Sequence, residues 1–235
     1  MKKNVIKFIS IGEYYKNVIE DKPSPATQWV PSWWKKMEPY VDGKIKISGN
    51  VTSATGKKCM PMLDAMTAGY IVPLWTDIMV TKNANGHSVS WKTKEPVFGV
   101  HDPRQSDGVS HPLGYSSSAF KYHNPWVIKT SSGWSSLISH PMGYHDLPFR
   151  MIPGLVDTDK YPQDINPVFW IKEDFEGIIE KGTPMFQVVP IKREPWVSKF
   201  ESYTSEQHMY SQEKNIAKTI VNNYVKNIWQ KKEYK

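Results

Sequence analysis

Between Ile45 and about Pro190 the chain breaks into short runs rich in Val, Ile, Thr, Trp and Phe, punctuated by Gly, Pro, Asn and Ser. That punctuation marks a β sandwich or barrel, whose strands are short and whose turns need residues with special backbone freedom. Ile78-Met79-Val80-Thr81-Lys82 and Ser88-Val89-Ser90-Trp91-Lys92 are predicted to form a hairpin across Asn83-Ala84-Asn85-Gly86, where Asn-Gly supplies the positive φ of a tight turn. A second hairpin is predicted from Trp126-Val127-Ile128-Lys129-Thr130 through Ser131-Ser132-Gly133 into Trp134-Ser135-Ser136-Leu137-Ile138. Further strands are expected at Arg150 to Val156, Val168 to Ile171, Glu176 to Ile179 and Met185 to Ile191, with a turn at Glu180-Lys181-Gly182-Thr183-Pro184. His101 to Tyr122, rich in Ser, Gly and His, reads as a long loop able to carry a site.

The flanks have a different texture. Ile6 to Ile11 reads as a strand and Glu13 to Glu20 as a short helix, while Pro23, Pro25, Pro31 and Pro39 are expected to prevent regular pairing in between. Ser32 is placed to cap a short turn through Trp33-Trp34-Lys35-Lys36-Met37. Towards the other end, Ser205-Glu206 opens a run in which Met209, Ile216, Ile220, Tyr224 and Ile228 recur at helical spacing and form one apolar face. Lys226, Lys231 and Lys232 near its end complement the helix dipole. That stripe calls for cover by the β domain or by a neighbouring subunit. The expected organisation is an arm rich in Pro and Trp over 1–44, a β core over 45–200 and an amphipathic helix over 201–235.

Composition narrows the function classes. At 235 residues the chain suits one large domain, and 39% apolar with 13% aromatic residues excludes an intrinsically disordered one. A single cysteine, Cys59, rules out an intrachain disulfide scaffold and suits a reducing compartment; without a partner motif it reads as an inert buried thiol. No run approaches 18 apolar residues, and Lys7 interrupts the opening Val5-Ile6-Lys7-Phe8-Ile9, so neither a membrane span nor a secretory signal is expected. The net charge of +7 is scattered among Lys2, Lys3, Lys7, Lys35, Lys36, Lys57, Lys58, Lys226, Lys231, Lys232 and Lys235. Such a surface attracts nucleic acid without specificity, and no zinc-finger, helix-turn-helix or RNA-recognition pattern accompanies it. Ten tryptophans, several beside Pro or Lys as in Pro31-Ser32-Trp33-Trp34-Lys35-Lys36 and Glu194-Pro195-Trp196, suit both core anchoring and subunit contact.

Three segments in order resemble the trimeric dUTPase-type β-clip fold. Asp64-Ala65-Met66-Thr67-Ala68-Gly69-Tyr70 is similar to that family's Ala-Gly-Tyr-Asp motif and the strand after it. Ile152-Pro153-Gly154-Leu155-Val156-Asp157-Thr158-Asp159-Lys160-Tyr161 resembles its Gly-(Val/Leu)-Ile-Asp-x-Asp-Tyr hairpin, and Glu180-Lys181-Gly182-Thr183-Pro184-Met185-Phe186-Gln187 its Lys-Gly-x-x-(Ile/Met)-Ala-Gln segment. Trp134 to Met142 resembles the strand that brings in the second motif. The likeness covers residues 64–190. The whole chain, especially Trp29-Val30-Pro31-Ser32-Trp33-Trp34-Lys35, Cys59 to Ile78 and Leu147 to Trp196, also resembles an uncharacterised family of tailed phages and bacteria, whose name carries no activity.

The dUTPase resemblance implies a role for each matching residue. Asp157 would orient and activate the attacking water as general base. Asp159 and Tyr161 would lie near the hairpin that holds pyrimidine and sugar, with Lys160 shifting Tyr161 by one position. Tyr70 and Gln187 would reach the nucleotide region, and Mg²⁺ would be the cofactor. Two parts of that pattern are replaced. Where the family has an Arg-Ser pair for phosphates, this chain has His140-Pro141-Met142-Gly143, and where it has Asp after Ala-Gly-Tyr for the metal-bound triphosphate, this chain has Ile71. Triphosphate hydrolysis depends on cationic clamps and metal, so both replacements weigh against the activity. A surviving hydrolase would need Lys57, Lys58 or Arg150 to bind phosphate instead. Without one, Asp157 reads as a turn carboxylate accepting backbone N–H bonds.

The histidines offer another chemistry. His101-Asp102, His111, His123, His140 and His145-Asp146 bring imidazole and carboxylate together, as non-heme iron oxygenases do with two His and one acid. Their usual His-x-(Asp/Glu) places both side chains on one strand face, whereas adjacent His-Asp points them apart. No Gly-x-Ser-x-Gly elbow, Walker loop or Rossmann glycine pattern occurs. The leading expectation is a mainly β protein, a dUTPase-like β-clip or β-barrel core with an N-terminal arm and a C-terminal helix. It would serve as a phage-type structural or binding protein, forming homo-oligomers or joining other virion proteins, in the host cytoplasm or the virion. The alternatives are a nucleotide phosphohydrolase using Asp157 and Mg²⁺, and an Fe(II) oxygenase using the loop histidines.

Overall fold

The computed structural model describes residues 4–10, 19–48, 51–83, 86–105, 108–210 and 224–235. Its early strands are β1 (Ile6–Ser10), β2 (Ser24–Pro25), β3 (Ile47–Ser48), β4 (Val51–Thr52), β5 (Tyr70–Pro73) and β6 (Ile78–Asn83). There follow β7 (Gly86–Ser90), β8 (Phe98–Val100), β9 (Tyr115–Tyr122), β10 (Trp126–Thr130) and β11 (Trp134–Ser139). The last are β12 (Phe149–Met151), β13 (Gly154–Val156), β14 (Val168–Lys172), β15 (Gly177–Ile179) and β16 (Pro184–Lys192). The protein is mainly β. It divides into two compact units, one built from Met1–Trp29, Met66–Arg193 and Tyr234–Lys235, the other from Val30–Ala65 and Glu194–Glu233.

In the first unit the strands pair antiparallel in the orders β13-β11-β16-β5-β2, β12-β14-β9-β8 and β15-β6-β7, with β1-β10 as a separate ribbon. None of these sheets closes into a barrel. In β6 alternation puts one face inward: Ile78 and Val80 are buried while Met79 and Thr81 face out. The inward faces share one core containing Val72, Val80, Ile128, Ile138, Phe149, Phe169 and Phe186. Phe169 is its aromatic hub, with Phe98, Phe149 and Phe120 at ring-centroid distances of 4.8, 5.7 and 5.8 Å. Burying each such side chain stabilises the fold by about 1.5–3 kcal/mol.

Gly69, just before β5, must be glycine for two reasons. Its φ is +67°, and a Cβ there would sit 1.9 Å from the Val188 carbonyl oxygen on β16. The Gly69 carbonyl accepts the Ala26 N–H at 2.9 Å, tying β2 to the sheet edge.

Several strand expectations hold and several need correction. The first hairpin forms as β6-β7 with Asn83 opposite Gly86. Trp126–Thr130 and Trp134–Ser139 are strands too, but they do not form a hairpin: β10 pairs with β1, and β11 inserts between β13 and β16. Their tight connection turns the chain from one sheet to another. The expected strand Arg150 to Val156 is two strands, because Pro153 cannot donate to a ladder. The expected loop His101 to Tyr122 ends in β9, an interior strand; its Tyr-Ser-Ser-Ser-Ala-Phe-Lys-Tyr alternates well enough to pair on both sides despite its serines. Pro25 does enter a ladder, at the sheet edge where proline is tolerated. The helix expected at Glu13 to Glu20 falls largely outside the described residues; Ile19–Asp21 forms a 3₁₀ turn.

The second unit holds α1 (Ser32–Lys36), the β3-β4 ribbon and, up to Ala65, α2 (Met60–Thr67). Ser32 does not cap α1: Pro31 occupies the cap position and no side chain bonds there. Lys57 closes the other end, donating to the Trp34 carbonyl at 2.6 Å while its ammonium lies 5.6 Å from the Trp34 ring. Asp64 of α2 accepts from Trp229 Nε1 at 2.9 and 3.1 Å and from Lys232 at 2.5 Å. The C-terminal run is helical at 205–210, opened by Thr204 and not Ser205. Thr204 and Gln207 exchange backbone-to-side-chain bonds at 3.0 and 3.3 Å, a reciprocal capping box. Tyr224–Ile228 is a π-helical turn. Of the apolar stripe, Met209, Tyr224 and Ile228 are exposed, and Ile216 and Ile220 lie outside the described residues. Among the described residues no helix is long and apolar enough to cross a membrane.

Candidate functional site

The segment Gly154 to Tyr161 meets β11 and the end of β16 in one polar cluster. β11 pairs with β13 on one side and β16 on the other, so Ser136 lies opposite Val156 and Trp134 opposite Lys192. Ser135 and Ser136 then point to opposite faces. On the inner face, Ser136 shares a hydrogen bond with the buried Thr158 hydroxyl at 2.9 Å, and Thr158 another with Thr130 at 2.8 Å. On the outer face, Ser135 donates to Asp157 Oδ1 at 2.7 Å.

Arg193, one residue past β16, closes the cluster. Its Nη1 donates to the Trp134 carbonyl at 3.0 Å, to Asp157 at 3.1 Å and to Asp159 at 2.9 Å, and its Nη2 pairs with the other Asp159 oxygen. Asp159 also accepts the Gly133 N–H at 2.8 Å, and its side chain is 5% exposed. The Ser135 hydrogen bond and the Arg193 charge hold the Asp157 carboxyl below the usual carboxylate range. The Arg193 bonds, with the Gly133 N–H, bring Asp159 down to about 2. A carboxylate stabilised in this way is a weaker base than a free one. The arrangement joins strand ends: the Arg193 N–H also donates to the Gly133 carbonyl at 2.9 Å.

The other residues singled out from sequence lie elsewhere. Gln187 is fully buried opposite Ser139, four residues along β11 from Ser135, a separation of about 13 Å. Its Oε1 accepts the Met142 N–H at 2.8 Å and its Nε2 donates to the Ala68 carbonyl at 2.7 Å. The position expected to lack a phosphate-binding side chain, Met142, is thus bonded through its backbone to Gln187. Tyr70, opposite Val188, is buried against Phe8 and Tyr234 and donates its hydroxyl to the Lys235 carbonyl at 3.1 Å. Tyr161 accepts at its carbonyl from Lys129, and Arg150 lies on β12 opposite Trp170, in another sheet. Lys57 and Lys58 belong to the second unit, with Lys58 5.5 Å from the Tyr40 ring. Asp157 and Asp159 come together; Tyr70 and Gln187 lie on adjacent strands away from them.

Among the described residues no three His, Cys, Asp or Glu side chains gather as around a metal ion. His101 bonds Gln105 at 3.1 Å. His140 is packed for structure: its Nε2 meets the Tyr144 carbonyl at 2.7 Å and its Nδ1 the Met151 N–H at 3.4 Å, so the neutral Nε2–H form satisfies both. Burial lowers its pKa accordingly. Cys59 is half-buried.

Two features escaped the sequence reading. Arg193 follows Ile191 by two on an outward strand face, a parity signal that could have placed it beside Asp157. The segment after it carries Trp196, Val197 and Phe200, in the region assigned to the β core, and Tyr203, in the region assigned to the helix, all exposed. The chain matches no family model, no curated protein and no solved structure.

Proposed function

We propose that the protein is a phage-type structural or binding protein on a dUTPase-like β scaffold, working by assembly and not by nucleotide hydrolysis. The observation that carries this reading is the engagement of Asp157 by Ser135 and Arg193. A water-activating base needs a free lone pair aimed at substrate and a pKa suited to taking a proton. The Asp157 side chain is 58% exposed, but its Oδ1 is bound by Ser135 and Arg193, its lowered pKa makes it a weaker base, and the neighbouring cation is shared with Asp159. In this reading Asp157 and Asp159 tie strand ends through Arg193, and Gln187 ties β16 to the Ala68 and Met142 backbone.

Sedimentation of the full chain tests the reading. A defined oligomer whose nucleoside triphosphates remain intact in the presence of Mg²⁺ is expected. A monomer at all concentrations that releases pyrophosphate would overturn it.

A further inference from the structure

Beyond β16 the backbone at 194–203 is irregular, yet its side chains follow a regular pattern. At 100° per residue, Trp196, Val197, Phe200 and Tyr203 fall in one stripe about 120° wide, with Ser198, Lys199, Glu201 and Ser202 on the remainder of the circle. In an extended strand the same four would point to both faces. Trp196 is 89% and Phe200 97% exposed. Nine residues do not sustain a helix in water, because nucleation is costly and tertiary burial must offset it. A segment patterned in this way becomes helical when an apolar surface covers its stripe.

The first unit carries such a surface. Leu155, Leu137 and Val189 are register partners across β13, β11 and β16, and Ile191 shares the outward face with Val189. Leu155 is 64% exposed, Ile191 is exposed, and Leu137 and Val189 are half-buried.

We propose that residues 195–203 of one copy fold as a helix on the Leu155–Leu137–Val189–Ile191 row of a second copy, a contact that rests on the assembly reading above. Area favours a second copy of this chain as the occupant. Three aromatic side chains bury about 150–250 Å² each. One such contact is small, but two exchanged reciprocally around a twofold axis, with the surface they cover, enter the roughly 1,200–2,000 Å² range of stable interfaces. Both halves of the contact lie on every chain, so an exchange around a twofold axis closes as a dimer.

The test uses full-length chains carrying Cys59→Ser. One, labelled with ¹⁵N, carries Phe200→Cys; the other, unlabelled, carries Leu155→Cys. Phe200 and Leu155 are both exposed, so neither new thiol removes a core side chain. After mild oxidation of the mixture, mass spectrometry is expected to find the mixed-isotope disulfide several-fold above that formed by Phe200→Cys with a Leu113→Cys control, Leu113 being fully exposed in a loop. Yield equal to the control overturns the contact. In parallel, Phe200→Glu is expected to weaken self-association at least about tenfold and to remove the concentration-dependent helical circular dichroism. An oligomer unchanged by Phe200→Glu would overturn this contact while leaving the assembly reading standing; pyrophosphate release by a monomer would overturn the reading itself.

Discussion

Arg193 binds both oxygens of Asp159, and this pair ties the end of β16 to the turn after β13. Asp159→Asn is therefore expected to lower the melting temperature by several degrees, and Arg193→Lys to do so as well, since an ammonium cannot reproduce the bidentate fork. The pH dependence has a definite sign. The Asp159 pKa is about 2 in the folded chain against an ordinary 3.8, so its contribution is complete above about pH 4 and fades as pH falls towards 2. Thermal melts between pH 5 and 2 are expected to show a shallower slope for Asp159→Asn than for the native chain.

His140 gives a second pH window. Its folded pKa is lowered, chiefly by burial, so the unfolded chain takes up the proton first as pH falls below about 6.5. Stability is expected to decline from pH 7 to 5. Replacing His140 by Gln should flatten that decline, and an imidazole titration followed by NMR should place His140 below the ordinary histidine value.

Gly69→Ala is expected to be among the most damaging single substitutions. The new methyl meets the Val188 carbonyl at 1.9 Å and the residue must hold φ at +67°, so β5 and β16 would have to separate. A loss of about 3 kcal/mol or more in chemical denaturation is expected. Gly154→Ala, in open space and without a positive φ, should cost far less.

Gln187 supplies a test that separates a structural from a ligand-binding role. Gln187→Leu keeps the volume but leaves the Met142 N–H and Ala68 carbonyl without that partner, at a cost of about 1–3 kcal/mol for each buried group left unmatched. The loss should appear in unfolding measurements with no nucleotide present. A variant as stable as the native chain would contradict the assignment.

The strands were legible in the sequence where alternation and turn residues coincide, as in Ile78–Asn83 and Gly86–Ser90. Their partners were not. A three-residue turn after Thr130 reads locally as a hairpin, but the pairing of β11 with β13 and β16 is decided by contacts across some 20 and 50 residues of chain, which local pattern does not encode. β9 was hidden because serines on an interior strand resemble a loop. At the candidate site, Asp157 and Asp159 stood out by resemblance, while their partner Arg193 belongs to no matching segment and becomes visible only when β16 is laid beside β11. The helical spacing of Trp196, Phe200 and Tyr203 was present in the sequence, although the expected β region, ending at 200, cuts through it.

The most direct test is a paired measurement on the native chain and Asp157→Asn: the melting temperature, and pyrophosphate release from nucleoside triphosphates with Mg²⁺. A carboxylate that ties Ser135 to Arg193 predicts a lower melting temperature in the variant and no release from either protein. An unchanged melting temperature, together with release by the native chain that vanishes in Asp157→Asn, would contradict the account.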